Sequence, residues 1–404
     1  MTFPSAQALM SVLTAFRSEM APETLAGRYL RILERGAPPP GRILCLGKAA
    51  AGLARAAASL WPGVPGLLYG TAPAGVAPVP YLTLWGDHPF PSEGNLRRTE
   101  RVRRWLREGE GPLLALVSGG GSALLVAPRA PWSLQEKRAL TSALWSAGAP
   151  IREVNAVRSR VSEVKAGGLL EEVRPWPCAT RVWSDVGPGD WRIVSSGPTV
   201  PVARGADAES ILRRYSLRPP LELPAVDAGA RARPGDSAAV LCDAVSARRA
   251  LADRLRGMGY GVRQVAVPEG ASADRLAETL VRELVSRRAR KPRAWVGAGE
   301  ATVKVPPGAG SGGRCSHLAA AVAMAAISEG ADRGWAFAAL ATDGVDGAGG
   351  GGAWVDARSL PPRRSLERAL AGFDTGTLWE EHGSSLPRSP TGNNLRDLWV
   401  LVDL

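Results

Sequence analysis

Short apolar runs ending in glycine or serine alternate along this chain with longer stretches of helical period. RILCLG (42–47) reads as a buried strand, followed by a helix from Lys48 to about Leu60. GLLYG (66–70), YLTLWG (81–86) and LLALVSGG (113–120) repeat the strand pattern, with a helix at about 95–108. ATRVWSDV (179–186) is a further strand ending in a polar pair. Strands apolar throughout, spaced by amphipathic stretches, predict an α/β sheet with helices on both faces.

A second series of the same kind starts near residue 236. AAVLCD (238–243), YGVRQVAV (260–267), RAWVGAG (293–299) and AFAALATD (336–343) read as strands. Helices are expected at 244–258, at 272–288 and after Gly313. RPPLELPAVDAGARARP (218–234), rich in proline and arginine, reads as the connector. The expected architecture is two α/β domains, residues 1–235 and 236–404, with largely parallel sheets. In such sheets ligands gather at the carboxyl ends of the strands.

Composition narrows the function classes. Of the 404 residues, 45% are hydrophobic and 22% charged, so a packed core is expected throughout. No apolar run reaches the roughly 18 residues of a membrane span. MTFPSAQALMSVLTAFRSEM lacks a basic start followed by an apolar segment, so a leader is not expected and the cytoplasm is the expected compartment. The four cysteines, Cys45, Cys178, Cys242 and Cys315, are scattered without metal spacing, and only three histidines exist. The net charge of +12 invites a nucleic-acid reading. However, the arginines fall in helix-like runs interleaved with glutamate, such as LRRTERVRRWLRE (96–108), which is the pattern of a solvated helix face. No nucleic-acid partner is expected.

The candidate chemistry lies just after the strands. Ser118, Gly119, Gly120, Gly121 and Ser122 form a glycine turn whose backbone N–H groups and hydroxyls suit an anion. Lys48 follows a buried strand in a chain with only five lysines, and suits a phosphate or a helix cap equally; the Walker spacing is absent. His88, between two prolines, is expected to be structural. Arg158, Ser162 and Lys165 follow at helical spacing. They are either surface partners of Glu153 and Glu163 or groups aimed at an acidic substrate. Asp185 is placed to hold magnesium or to take a hydroxyl proton. Ser196, Gly197 and Thr199 form a polar turn suited to a carboxylate or phosphate.

In the second half, Gly308, Gly310 and Gly313 match G-x-G-x-x-G, but the preceding proline pair breaks the strand-to-turn junction of a dinucleotide site. Arg314 behind these glycines suits a guanidinium clamp on phosphate. Asp343, Asp346 and Asp356 lack the spacing of a calcium loop.

Ten segments occur in order: GKAA, GDHPFP, SGGGSAL, NAVRSRVSEVKAGG, SDVGPGD, SSGPT, GAGEATV, GSGGR, ATDGVDG and PTGNNLRDL. Together they resemble the glycerate 2-kinase family with a MOFRL C-terminal domain, over nearly the whole chain. The resemblance implies ATP- and magnesium-dependent phosphorylation of D-glycerate at its 2-hydroxyl, in a cleft between two α/β domains. It points to Lys48, Asp185 and Arg314 as the main charged groups. Gly310, Gly312, Gly313 and Asp343 are then nucleotide candidates, and a homodimer is compatible with it. Ser159–Ser162 stand where the family usually reads K-H-L-S, and Gly313–His317 where it reads G-R-N-Q-E, which puts the contacts of that second helix in question. Some relatives carry the name hydroxypyruvate reductase, a hydride-transfer alternative.

Overall fold

The computed structural model describes residues 20–71, 80–187, 189–201, 207–225, 230–268, 270–286, 292–332, 334–393 and 395–403. The stretch read for a leader lies, up to residue 19, outside them. The chain is an α/β protein that divides into two compact units, Pro22–Leu241 and Cys242–Leu404, with Met20 and Ala21 joining the second. The Asn393 side chain holds Met20 there by donating to its carbonyl at 2.7 Å.

The first unit carries a six-stranded sheet: β1 (Arg42–Gly47), β2 (Gly66–Thr71), β3 (Leu82–Gly86), β4 (Leu113–Ser118), β5 (Cys178–Trp183) and β6 (Ser237–Cys242). Their order is β3-β2-β1-β4-β5-β6, and the pairs from β3 to β5 are parallel. β1 and β4 are buried along their whole length because helices cover both faces, which is why they read as unbroken apolar runs. The chain winds outward from β1 to β3, then returns to place β4 on the other side of β1. That reversal opens a crevice at the carboxyl ends of β1 and β4.

Two expectations change here. Ser237–Cys242, read as opening the second series, is the edge strand of the first sheet. The stretch read as a connector also packs on the first unit: Leu217, Leu221 and Leu223 join a core with Trp132 and Leu144. The Trp132 indole donates to the Glu222 carbonyl at 3.1 Å. Proline and arginine richness marks irregular backbone, and irregular backbone packs well when its leucines find a groove.

The second sheet contains β7 (Gly261–Ala266), β8 (Arg293–Ala298), β9 (Trp335–Ala341), β10 (Gly352–Asp356), β11 (Ser385–Leu386) and β12 (Asp397–Asp403), in the order β11-β10-β9-β12-β8-β7. The expectation of largely parallel strands fails here. Only β7 and β8 run parallel; β12 inserts antiparallel between β8 and β9. A strand buried on both faces has the same periodicity in either direction, so the pattern does not report orientation. The helix Arg314–Ser328 is packed through an alanine-rich face, with Leu318, Val322 and Ala326 in the core.

The basic helices are laced with acid. On the helix Glu93–Glu108, Arg103 binds Glu163 and Glu172 at 2.6 Å, and Arg107 binds Glu100 at 2.6 Å and Glu172 at 2.8 Å. Such surface networks contribute little stability, but they occupy the guanidinium groups.

Candidate active site

The carboxyl ends of β1 and β4 are stitched together by backbone and serine. Gly47 adopts a left-handed φ of 109°, and a Cβ there would strike the Ser118 carbonyl. The Lys48 N–H donates to the Gly119 carbonyl at 2.8 Å. Ser118 accepts from the Ala49 N–H and donates to the Leu46 carbonyl, both at 3.0 Å. Its hydroxyl is therefore spent on the junction. The N–H of Gly121 is likewise taken, donating to Ser195 Oγ at 2.9 Å. Gly119, Gly120 and Ser122 remain on the wall of a cavity of about 440 Å³.

Asp185 reaches this cavity two residues beyond β5, and its carboxylate lies directly against Gly119, where any Cβ would collide with it. Gly120 is left-handed (φ 89°) and packs on the Lys48 side chain and the His88 ring. Lys48 is exposed, and its helix begins only at Ala50. His88 lines the cavity instead of merely shaping its loop. Burial and the neighbouring Lys48 charge hold its imidazole below the ordinary value. The sheet thus brings Lys48 and Asp185 against the glycine turn.

Arg158 and Lys165 also meet, though not on one helical face. The helix ends at Arg160, and Ser162 bridges to Pro128, so a turn carries Lys165 back. The two cations converge on Ser196: Arg158 Nη2 donates to Ser196 Oγ at 3.1 Å and Lys165 Nζ at 3.3 Å. Lys165 also donates to the Ser122 carbonyl at 3.2 Å. Ser196 Oγ donates in turn to Asn155 Oδ1 at 3.1 Å. Glu163 and Glu153 are engaged elsewhere, with Arg103 and Arg214. Ser195, Ser196 and Gly197 are three consecutive left-handed residues, with φ of 53°, 62° and 58°. For two serines that conformation costs on the order of 1–3 kcal/mol each, the kind of strain that clusters at functional sites.

A third buried cation was not expected. Lys137, on the helix Leu134–Ser146, lines the same cavity at 5% exposure, and its Nζ has no hydrogen-bond partner. Burial, with Arg158 beside it, pushes the Lys137 ammonium down to about 7 and burial lowers Arg158 to about 10; Lys165 is held well below its ordinary value by the same burial and by Arg158 and Lys137. Sequence reading also passed over Asn155 and Ser195. Phe90, Trp145 and Ile151, exposed to 58%, 45% and 51%, form an apolar lip at the mouth.

A stability effect follows. Lys137 ordinarily titrates near 10.5 and here near 7, so the unfolded chain binds more protons than the folded one between those values. Stability of the ligand-free protein therefore rises from pH 7 to 8, by on the order of 1 kcal/mol. Lys165 acts in the same direction, while the four buried thiols oppose it increasingly above pH 8. Urea midpoints at the two pH values check this, and a midpoint that falls between them refutes it.

Other candidates are used structurally. The Thr199 hydroxyl is buried against Thr180, accepting at 2.9 Å, and the N–H of Gly197 closes a turn onto Val194. In the second unit, Gly310, Gly312 and Gly313 allow close approach to Asp374, Phe373 and Asp346. Asp346 caps the helix Arg314–Ser328, accepting from the N–H groups of Cys315 at 2.9 Å and Ser316 at 2.7 Å. Asp343 makes a local turn, accepting from the Val345 N–H. Arg314 is shared by Asp397, at 2.8 Å, and Glu300, at 3.0 Å. These acids hold its guanidinium above the ordinary range. The residues that depart from the family pattern after it are interior: Cys315 is buried, Ser316 caps the helix, and His317 meets Asp274 at 3.2 Å. Among the described residues no group of three acids, cysteines or histidines is placed to hold a metal by itself, and no helix is long and apolar enough to cross a membrane.

The family model described as "Domain of unknown function (DUF4147)" matches residues 12–226, and the MOFRL family model matches residues 293–397. A D-glycerate 2-kinase of Thermotoga maritima is 30% identical over 331 residues, 78% of each chain. The chain belongs to the glycerate kinase family with a MOFRL C-terminal domain. Another relative, from Agrobacterium vitis and provisionally named a hydroxypyruvate reductase, is 31% identical over 398 residues, covering 90% of this chain and 88% of its own. A crystal structure of a glycerate kinase from Thermotoga maritima shares the fold, with a TM-score of 0.87 over 99% of both chains at 24% identity. In this family member the strand ends that carry Lys48, Gly119 and Asp185 belong to the DUF4147 match, and Arg314 to the MOFRL match.

Proposed function

We propose that this chain transfers the terminal phosphoryl group of ATP to the 2-hydroxyl of D-glycerate, giving 2-phosphoglycerate and ADP. The observation that carries the reading is one cavity at the β1–β4 crevice with a carboxylate, Asp185, and a set of buried cations that have no acidic partner among the described residues. A small acid with a hydroxyl fits that polarity, and the relatives named glycerate kinase supply the acid. Phosphoryl transfer asks for positioning and charge stabilisation more than for covalent steps. Lys48 neutralises charge on the transferring group. Asp185 orients the acceptor hydroxyl and accepts its proton. Gly119 and Gly120 let the reacting groups approach the backbone. Arg158 and Lys165 hold anionic groups through the Ser196 network. The family resemblance assigns phosphoryl charge to Arg314 as well, with Asp397 and Glu300 fixing its fork. Magnesium commonly binds through one or two carboxylates plus substrate phosphates, so holding that ion is the alternative role of Asp185, in place of taking the proton. When bound, the metal nucleotide supplies the phosphoryl group with its charge partly shielded.

A coupled assay with ATP, magnesium and D-glycerate tests this, run beside hydroxypyruvate with NADH. The reductase alternative lacks a cofactor turn: the 308–313 glycines follow the end of β8 at Ala298 only after a nine-residue loop, not directly. Phosphorus NMR of the product is expected to show the 2-phospho acid, and coupling through enolase to proceed without added mutase. A 3-phospho product refutes the regiochemistry.

A further inference from the structure

Lys137 belongs to no motif and is unaccounted for by the roles above, yet it is buried to 5% exposure on the cavity wall with no hydrogen-bond partner for its ammonium. It lies on the buried stripe of its helix with Leu134, Leu140 and Leu144. The helix is anchored by a capping box in which Ser133 and Glu136 exchange hydrogen bonds, at 2.6 and 3.2 Å. Lys137 lines the cavity wall, and its ammonium is buried there without a hydrogen-bond partner. Buried charges are normally paired. Here Arg158 and Lys165 repel it, and the one carboxylate acting on it, Glu163, is engaged by Arg103. The partners of Arg158 and Lys165 are the neutral Ser196 and Ser122. Three cations on one side of the cavity, with no acid bonded to them among the described residues, make a seat for an anion from outside.

The polarity of the cavity selects which anion. Asp185 repels a carboxylate and attracts a hydroxyl, whereas the helix bearing Lys137 does the reverse. A hydroxy acid satisfies both when its hydroxyl faces Asp185 and its carboxylate faces the cations. Phosphate of the nucleotide is expected at Lys48 and the glycine turn, on the sheet side.

We propose that Lys137 is a specificity-determining residue that receives the carboxylate of the acceptor, so that the site takes hydroxy acids and refuses the corresponding polyol. This rests on the kinase reading for its activity measurements but not for its binding measurement.

The test uses the full chain with Lys137→Met, which keeps the length of the side chain and removes the charge. In the ATP assay, KM for D-glycerate rises about 10- to 100-fold, as expected for loss of a charged hydrogen bond. KM for ATP stays within twofold, and the preference in kcat/KM for D-glycerate over glycerol falls about 10- to 100-fold. Calorimetric titration with D-glycerate alone, in two buffers of different ionisation enthalpy at pH 8, shows proton uptake in the unsubstituted protein. Tenfold or more weaker binding with reduced uptake is expected in the variant, because Lys165 can still take a proton. The ligand-free variant melts no lower than the parent; should it fail to fold, Lys137→Gln carries the same measurements. Unchanged glycerate binding in the variant overturns the proposal. A rise in KM for ATP, or weakened binding of inorganic phosphate in place of glycerate, also overturns it, by making the seat a phosphate site. Absence of any glycerate-dependent ADP from the unsubstituted protein refutes the kinase reading alone, and the titration then still decides the role of Lys137.

Discussion

Lys48→Ala lowers kcat for glycerate-dependent ADP formation about 10²–10³-fold, equivalent to roughly 3–4 kcal/mol of transition-state stabilisation. Lys48 is exposed, and its backbone, not its side chain, ties β1 to the glycine turn. Removing the side chain therefore leaves the stitching intact, and stability changes by no more than about 0.5 kcal/mol. The loss falls on kcat more than on either KM, because charge on the transferring group is greatest in the transition state. Steady-state kinetics beside a melting curve separates the two effects, and an unchanged kcat removes Lys48 from the mechanism. Arg314→Ala is a less clean experiment. Its partner Asp397 is buried, and its carboxyl is already pushed up to about 6 by that burial despite the arginine. Without Arg314 this buried acid loses its cation, and stability falls too, by less than for a fully buried pair because the guanidinium is 42% exposed. Arg314→Lys keeps the charge, loses the fork and separates chemistry from folding.

Gly119→Ala is expected to lower kcat about 10²-fold with little change in stability. Gly119 does not have a left-handed φ, so its backbone accepts alanine. The new methyl group would instead run into the Asp185 carboxylate, the far end of a side chain, which gives way more readily than the sheet. Displacing a group that orients the reacting hydroxyl by about 1 Å is enough for a loss of this size. Gly120→Ala is the contrasting variant: at φ 89° it strains the backbone and lowers stability as well. Rates within threefold of the parent for Gly119→Ala would mean that Asp185 has no positional role.

The glycine turn was legible in the sequence because three glycines after an apolar strand have few other uses. Its working surface was not. Ser118 and Gly121 look like donors, yet the first stitches β1 to β4 and the second is met by Ser195, a partner 74 residues away. Hydrogen bonds between distant segments leave no periodic trace. Lys137 left a faint one: it falls in step with Leu134, Leu140 and Leu144, on a stripe where a charge is out of place. Read as part of a basic helix it looks solvated.

The sequence by itself determined the α/β alternation, the positions of most strands, the family and the residues at the strand ends. All of these are local, because hydrophobic period, turn chemistry and motif order are written within a few residues. Only the tertiary structure decided the strand order that makes the β1–β4 crevice and the antiparallel insertion of β12. It likewise decided the assignment of Ser237–Cys242 to the first sheet and the gathering of Lys137, Arg158 and Lys165 about one cavity. Pairing direction and convergence of charge are properties of residues far apart in the chain. They are selected by packing that buries both faces of a sheet at once, and no single segment carries that information.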